Sequence, residues 1–152
     1  MITGFRFKSA VLTTCGARDI FLKPGVVKGN NLIYSFLEKD DLMPTDRRYL
    51  QDVYGDIPVI NFPIRDYGIP ESMSKFNALI EKILFDIKSG KNVLIHCYGG
   101  TGRTGLVIVG IFTKIMKSSE EAYKLVSKRR KALETSEQIQ FIKDYEIWLR
   151  NS

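Results

Sequence analysis

Cys97 and Arg103 are separated by Tyr98-Gly99-Gly100-Thr101-Gly102, five residues of which three are glycine. The segment Lys91-Asn92-Val93-Leu94-Ile95-His96 before them is short, apolar and rich in β-branched residues, and residues 103–116 after them are apolar nearly all round. A buried strand is therefore expected to end at a thiol, and a buried helix to open at a guanidinium. Glycines let a backbone curl closely enough to surround an anion with N–H groups, and the helix N-terminus adds the positive end of its dipole at the same point. Arg103 can meet two oxygens of a phosphate at once, which a lysine cannot. In such a cradle Cys97 is expected as thiolate, a nucleophile held beneath a bound phosphorus. Tyr98, Gly99, Gly100, Thr101, Gly102 and Arg103 would hold the phosphate.

Other chemistry fits the same residues less well. Gly100, Gly102 and Gly105 satisfy a dinucleotide fingerprint, but that fold expects a second strand ending in an acid about twenty residues later. Here a helix, Ser118-Ser119 and another helix follow. A phosphate loop of the Walker type would need glycine at Cys97 and lysine at Arg103. A buried cysteine in a tight turn accounts for Cys97 but not for Arg103.

The bulk composition is that of a soluble globular domain. The chain has 152 residues, 44% hydrophobic and 26% charged, which suits one domain spanning 1–152. Its net charge of +6 favours an anionic substrate without choosing among phosphoprotein, phospholipid and nucleic acid. No apolar run is long enough to span a membrane, and the N-terminus lacks the layout of a secretory signal, so a cytoplasmic location is expected. The two cysteines, Cys15 and Cys97, suggest no disulfide framework. The single histidine, His96, is adjacent to Cys97, and no ligand cluster for a metal is evident. Acid–base work must then fall to carboxylates.

The elements that would position the loop can be read from period and punctuation. Residues 10–14, 19–22 and 32–37 are short runs of β-formers and are expected as strands, as is 57–62, read as a buried strand. Residues 45–54 fit a short helix after Pro44. Phe76, Leu79, Ile80, Ile83, Leu84 and Ile87 share one helical face that ends before Gly90. Ser118 with Glu121, and Thr135 with Gln138, form two capping boxes that open two further helices. The order implies an α/β domain, with helices on the faces of a sheet.

The segment His96-Cys97-Tyr98-Gly99-Gly100-Thr101-Gly102-Arg103-Thr104-Gly105 resembles the signature loop of the cysteine-dependent protein tyrosine phosphatase superfamily. A mid-chain cysteine with an acid upstream is similar to the dual-specificity group. The Cys-Tyr-Gly-Gly start is similar to the kinase-associated phosphatase branch and its bacterial relatives. The resemblance is strong over residues 57–145 and weak before residue 32. It implies a single domain with a central mixed, largely parallel sheet flanked by helices. It also implies hydrolysis through a cysteinyl-phosphate with no metal or other cofactor.

Residue by residue, the resemblance makes Asp66, in a loop bracketed by Pro63 and Pro70, the general acid that a departing alkoxide or phenoxide requires. Asp56 and Glu71 are the neighbouring acids. Thr104 would donate a hydrogen bond to the Cys97 sulfur. His96 would orient Cys97 rather than act as a base. Glu134 and Gln138 resemble the loop that positions the hydrolytic water, with Glu134 standing where glutamine is usual. Gln138 also has a sufficient explanation in its capping box. The run Lys128-Arg129-Arg130-Lys131 reads first as a solvated helix end and second as a site for another anionic group. Cys15 reads first as a structural thiol and second as a trap for oxidised Cys97.

The expected partner is a phosphorylated protein, with no nucleic acid and no membrane insertion. Phosphotyrosine is the expected substrate, with phosphoserine and phosphothreonine beside it. A phosphoinositide or inositol phosphate is the alternative, against which the loop's lack of lysine counts. A phosphoprotein-binding module without turnover would not need both Cys97 and Asp66. Oligomeric state is not legible.

Overall fold

The computed structural model describes residues 1–152. Its strands are β1 (Thr3–Arg6), β2 (Val11–Gly16), β3 (Leu32–Ser35), β4 (Val59–Asn61) and β5 (Val93–Cys97). They form one sheet in the order β1-β2-β5-β3-β4, in which only β1 runs antiparallel to its neighbour. This is the expected mixed, largely parallel sheet, with the strand that ends at Cys97 at its centre. The helices are α1 (Ala17–Leu22), α2 (Pro44–Tyr54), α3 (Met73–Lys88), α4 (Gly102–Met116), α5 (Ser119–Ser127) and α6 (Ser136–Arg150).

Alternation along the strands sorts the core onto two faces. Val93, Ile95 and Cys97 of β5 join the larger apolar cluster with α3, α4, α5 and α6, whereas Leu94 joins the smaller one with α1 and α2. Tyr34 and Ile33 of β3 divide in the same way. The α3 face is the one read from its period, and Ser72 caps it by accepting from Lys75 N at 3.2 Å. Helix α4 is buried nearly all round, as its composition requires.

Three readings are corrected. Residues 19–22 are helical, not a strand: the Asp19 carboxylate accepts from Gly16 N at 2.8 Å and stabilises the first turn of α1. Only Ala17 and Ile20 of that helix are buried, a helical spacing that its β-forming composition hid. Strand β4 is a half-buried edge strand, because only β3 pairs with it. Strand β1, four residues long, was not anticipated. The capping boxes are half made. Ser118 and Thr135 accept from Glu121 N and Gln138 N, but the Gln138 side chain bonds elsewhere, and Glu146 of α6 takes Ser119 N.

Helices α3 and α4 meet closely at Gly110, where an added Cβ would lie 2.6 Å from the Phe76 ring. That ring cannot easily retreat, since Phe141 and Tyr145 pack edge-on against it at 5.0 Å. Alanine gains roughly 1 kcal/mol over glycine in a helix interior. Overpacking costs roughly 1–3 kcal/mol. Gly110→Ala is therefore expected to lower the melting temperature by about 2–4 °C, read by calorimetry. A raised melting temperature would show that the crossing has slack.

Candidate active site

The catalytic loop starts where β5 leaves the sheet. Cys97 is buried, and its Sγ accepts from Gly100 N at 3.2 Å, so the chain folds back over the thiol. Gly100 makes this possible. Its φ is +89°, and a Cβ there would lie 2.7 Å from Gly16 N at the end of β2. The N–H groups of Gly99, Thr101, Gly102 and Arg103 donate to no group of the protein. Gly102 and Arg103 belong to the first turn of α4, where N–H groups have no partner within the helix. These unpaired donors and the dipole of α4 suit a tetrahedral oxyanion.

Arg103 is 2% exposed and could not be left there unpaired. Its Nη1 donates to Asp41 Oδ2 at 2.6 Å and to Ile64 O at 3.1 Å. Its Nη2 faces Asp66 Oδ1 at 3.5 Å. One arm of the guanidinium is thus anchored, and the other points to where Asp66 stands. Asp66 itself is 55% exposed, at a turn closed by Gly68 N donating to Arg65 O at 2.8 Å, with Tyr67 in the left-handed region at φ 60°. The three residues expected to carry the chemistry, Cys97, Arg103 and Asp66, are brought to one place.

Gln138 ties the acid-bearing loop down. It is fully buried, its Nε2 donates to Gly68 O at 3.1 Å, and its Oε1 accepts from Glu134 N at 2.8 Å. Each end of its amide bonds the protein, which makes it a tether between the two loops. Glu134 is exposed, and its Oε1 lies 2.4 Å from the position of a Cβ on Gly102, so its carboxylate sits against the catalytic loop. Thr104 is a correction: its Oγ1 is buried with no hydrogen-bond partner, and it makes no bond to the Cys97 sulfur.

His96 has the orienting place expected of it. Its Nδ1 lies 3.1 Å from Cys97 O and its Nε2 2.6 Å from the Tyr54 hydroxyl. A carbonyl only accepts, so Nδ1 carries the proton, and Tyr54 donates to Nε2. Burial lowers the His96 pKa to about 4 and pushes the Tyr54 phenol up, so the pair is neutral. Cys15 pairs in register with His96, and Gly16 with Cys97. Cys15 therefore lies in the smaller cluster, on the opposite face from Cys97, and its pKa is pushed up to about 12, chiefly by burial and then by Asp19. The structural reading of Cys15 fits, and the trapping role does not.

The basic run departs from a solvated helix end. Arg130 is 3% exposed, and its Nη2 donates to Gly100 O in the catalytic loop. Its Nε donates to Lys131 O at 2.8 Å, while Nη1 has no partner. Burial lowers its pKa, and the neighbouring Cys97, Cys15 and Asp19 oppose that shift. Arg129 donates to Gly4 O at 2.7 Å and lies over Phe5. Asp41, Tyr54 and Arg130 are the residues that sequence reasoning missed. Only Arg130 carried a signal, as part of a basic run close before Glu134.

Two outcomes follow from these contacts. Asp41→Ala leaves the Arg103 charge buried with one carboxylate fewer, a loss of about 3 kcal/mol in stability. Added vanadate should then raise the melting temperature more in the variant than in the parent, because the oxyanion replaces the missing charge. Equal stability, or a smaller vanadate shift, would contradict the anchoring role. For His96, the folded pKa of about 4 lies below the unfolded value, so the unfolded chain binds the proton first. Stability is expected to fall as pH drops from about 6.5 to about 4, by about 3 kcal/mol in total. Denaturant titrations should show that component missing in His96→Gln.

The dual specificity phosphatase catalytic-domain model matches residues 36–147. Protein MJECL20 of Methanocaldococcus jannaschii is 33% identical over 95 residues, 59% of this chain and 60% of that protein. Human cyclin-dependent kinase inhibitor 3 is 32% identical over 98 residues, 63% of this chain and 40% of that protein. The chain spans less than two thirds of the length of both relatives. Among solved structures, Tk-PTP in its active form matches with a TM-score of 0.74 at 25% identity, over 95% of this chain and 97% of that one. A kinase associated phosphatase with its catalytic-site cysteine replaced by serine matches with a TM-score of 0.75 at 20% identity, over 100% and 97%, a likeness of fold. With its signature loop and most of its length inside that family model, the chain belongs to the dual specificity phosphatase catalytic-domain family.

Proposed function

We infer that this chain hydrolyses phosphate monoesters on protein, taking phosphotyrosine, and phosphoserine and phosphothreonine beside it, through a cysteinyl-phosphate. The observation that carries the reading is the buried Cys97 sulfur beneath unpaired loop N–H groups, with Arg103 held between Asp41 and Asp66. In the first step Cys97 Sγ attacks phosphorus, the S–P bond forms and the ester P–O bond breaks. Asp66, as the acid, gives its proton to the leaving oxygen. In the second step water attacks phosphorus, Asp66 takes the water proton, the S–P bond breaks and phosphate leaves. Arg103 and the loop N–H groups stabilise the charge on the equatorial oxygens in both steps. Nucleophile, phosphate ligand and acid are all side chains of this chain, so the reaction as written draws on no cofactor.

Two aromatic side chains support a protein substrate. Tyr98, beside the nucleophile, is 40% exposed, and Tyr67, beside the acid, is 60% exposed. Exposed rings there suit the phenyl ring of phosphotyrosine. The loop residues Tyr98 to Gly102 include no lysine that would meet the further phosphates of an inositol phosphate.

The test compares leaving groups. Asp66→Asn is expected to lose about a hundredfold in kcat on phosphotyrosine peptide and more on phosphothreonine peptide. It should lose far less on a nitrophenyl ester, whose leaving group needs little help. Cys97→Ser should abolish turnover while still binding vanadate, and chelator should leave the parent active. Equal losses on every substrate, or activity that only added metal restores, would defeat this mechanism.

A further inference from the structure

Helix α2 stands away from the edge strand β4 and leaves a half-enclosed cavity of about 490 Å³ on the sheet face opposite Cys97. The helix contributes Arg47, Leu50 and Tyr54, spaced to share one helical face. The opposite side contributes Val59 and Asn61, alternate residues of β4, and Ile57 from the bend before it. The size falls within the range of small-molecule sites, and the lining combines an apolar part with polar and charged groups.

Two features select the ligand. Among the charged groups on the walls, Arg47 and Lys39 outweigh the single acid Glu38. The Arg47 Nε is shielded from solvent and has no hydrogen-bond partner in the protein. Arg47 lines the cavity, and its guanidinium offers charge-assisted donors to an anion there, while Leu50, Tyr54, Ile57 and Val59 ask for a flat apolar body.

The walls also touch the supports of the catalytic loop. Asp41, which anchors Arg103, accepts from Glu38 N at 2.7 Å through the same Oδ2 that meets Arg103. Glu38, Lys39 and Leu42 of this segment line the cavity. Tyr54 lines it with its ring and donates its hydroxyl to His96.

We propose that the cavity between α2 and β4 is a second ligand site, for a small aromatic carboxylate, with its carboxylate on Arg47 and its ring between Leu50 and Val59. Its occupancy is coupled to oxyanion binding at Arg103 through the Glu38–Asp41 turn. The site lies outside the catalytic loop, and its occupancy is read by binding alone. It therefore stands or falls separately from the phosphatase reading.

The test is an amide NMR titration of the full chain with 1-naphthoate, while vanadate fills the loop at Cys97. Saturable shifts are expected at Leu42, Leu50, Gln51, Tyr54 and Val59. The neutral 1-naphthamide and the Arg47→Gln variant should each weaken binding about tenfold, the worth of one charge-assisted hydrogen bond. Arg47 is partly exposed in the first turn of α2 and belongs to neither apolar cluster, so this variant leaves the core residues in place; Val59→Trp, which fills the cavity, should abolish the shifts. Without vanadate, the naphthoate affinity should differ by threefold or more, because coupling is reciprocal. Shifts confined to residues 97–103, or unchanged affinity in Arg47→Gln, would overturn the site. Equal affinity with and without vanadate would overturn the coupling.

Discussion

A guanidinium that is 2% exposed cannot be left without counter-charge, and Arg103 draws three partners from two separate stretches of chain. The turn after β3 supplies Asp41, and the acid-bearing stretch after β4 supplies the Ile64 carbonyl and Asp66. Because β3 and β4 are parallel neighbours, both connections leave the same end of the sheet as the Cys97 loop. The topology thus delivers a nucleophile, a cation and two carboxylates to one edge. The ion pair with Asp41 is deep enough to escape much solvent screening, whereas that with Asp66 is half exposed. Asp41 therefore holds the arginine, and Asp66 is left to move relative to it.

The loop is supported from behind as well as beside. Arg130 reaches the Gly100 carbonyl from the segment after α5, and Arg18 N donates to the Tyr98 carbonyl at 3.3 Å from α1. With two carbonyls turned outward and bonded, the intervening N–H groups are left facing the other way. A loop rich in glycine pays conformational entropy to order, so such fixed contacts are needed if its donors are to be preorganised. The same segment that carries Arg130 leads into Glu134 and Gln138, so one connection braces both the catalytic loop and the acid-bearing loop.

What could be read from the sequence was what is local. The strand, the glycine-rich turn and the helix around Cys97 are contiguous, and each is dictated by period or composition within a few residues. The α3 face and the caps at Ser118 and Thr135 are local in the same sense. Asp41 was not legible, because its partner lies 62 positions away and nothing in Lys39-Asp40-Asp41 marks one acid over the other. Tyr54 looked like the end of a helix until the sheet placed His96 beneath it. The segment 19–22 misled because its composition favours a strand, while the deciding interaction, a carboxylate on the N–H of Gly16, is a cap made by one side chain.

Period two in β5 settles the division of labour between its last two residues. His96 faces α2, away from solvent, where burial keeps it neutral and Tyr54 occupies its second nitrogen. Cys97 faces α4 and the phosphate cradle. A histidine so placed can orient the cysteine carbonyl but cannot exchange protons with a substrate on the other face. In the proposed reaction the proton comes from a group outside the sheet, and Asp66 stands on the loop that follows the edge strand β4. The chain leaving an edge strand has a neighbour on one side only, so its loop is free to extend over the cradle. Left alone it would also be free to leave, and Gln138, bonded to the Gly68 carbonyl, supplies the missing second side.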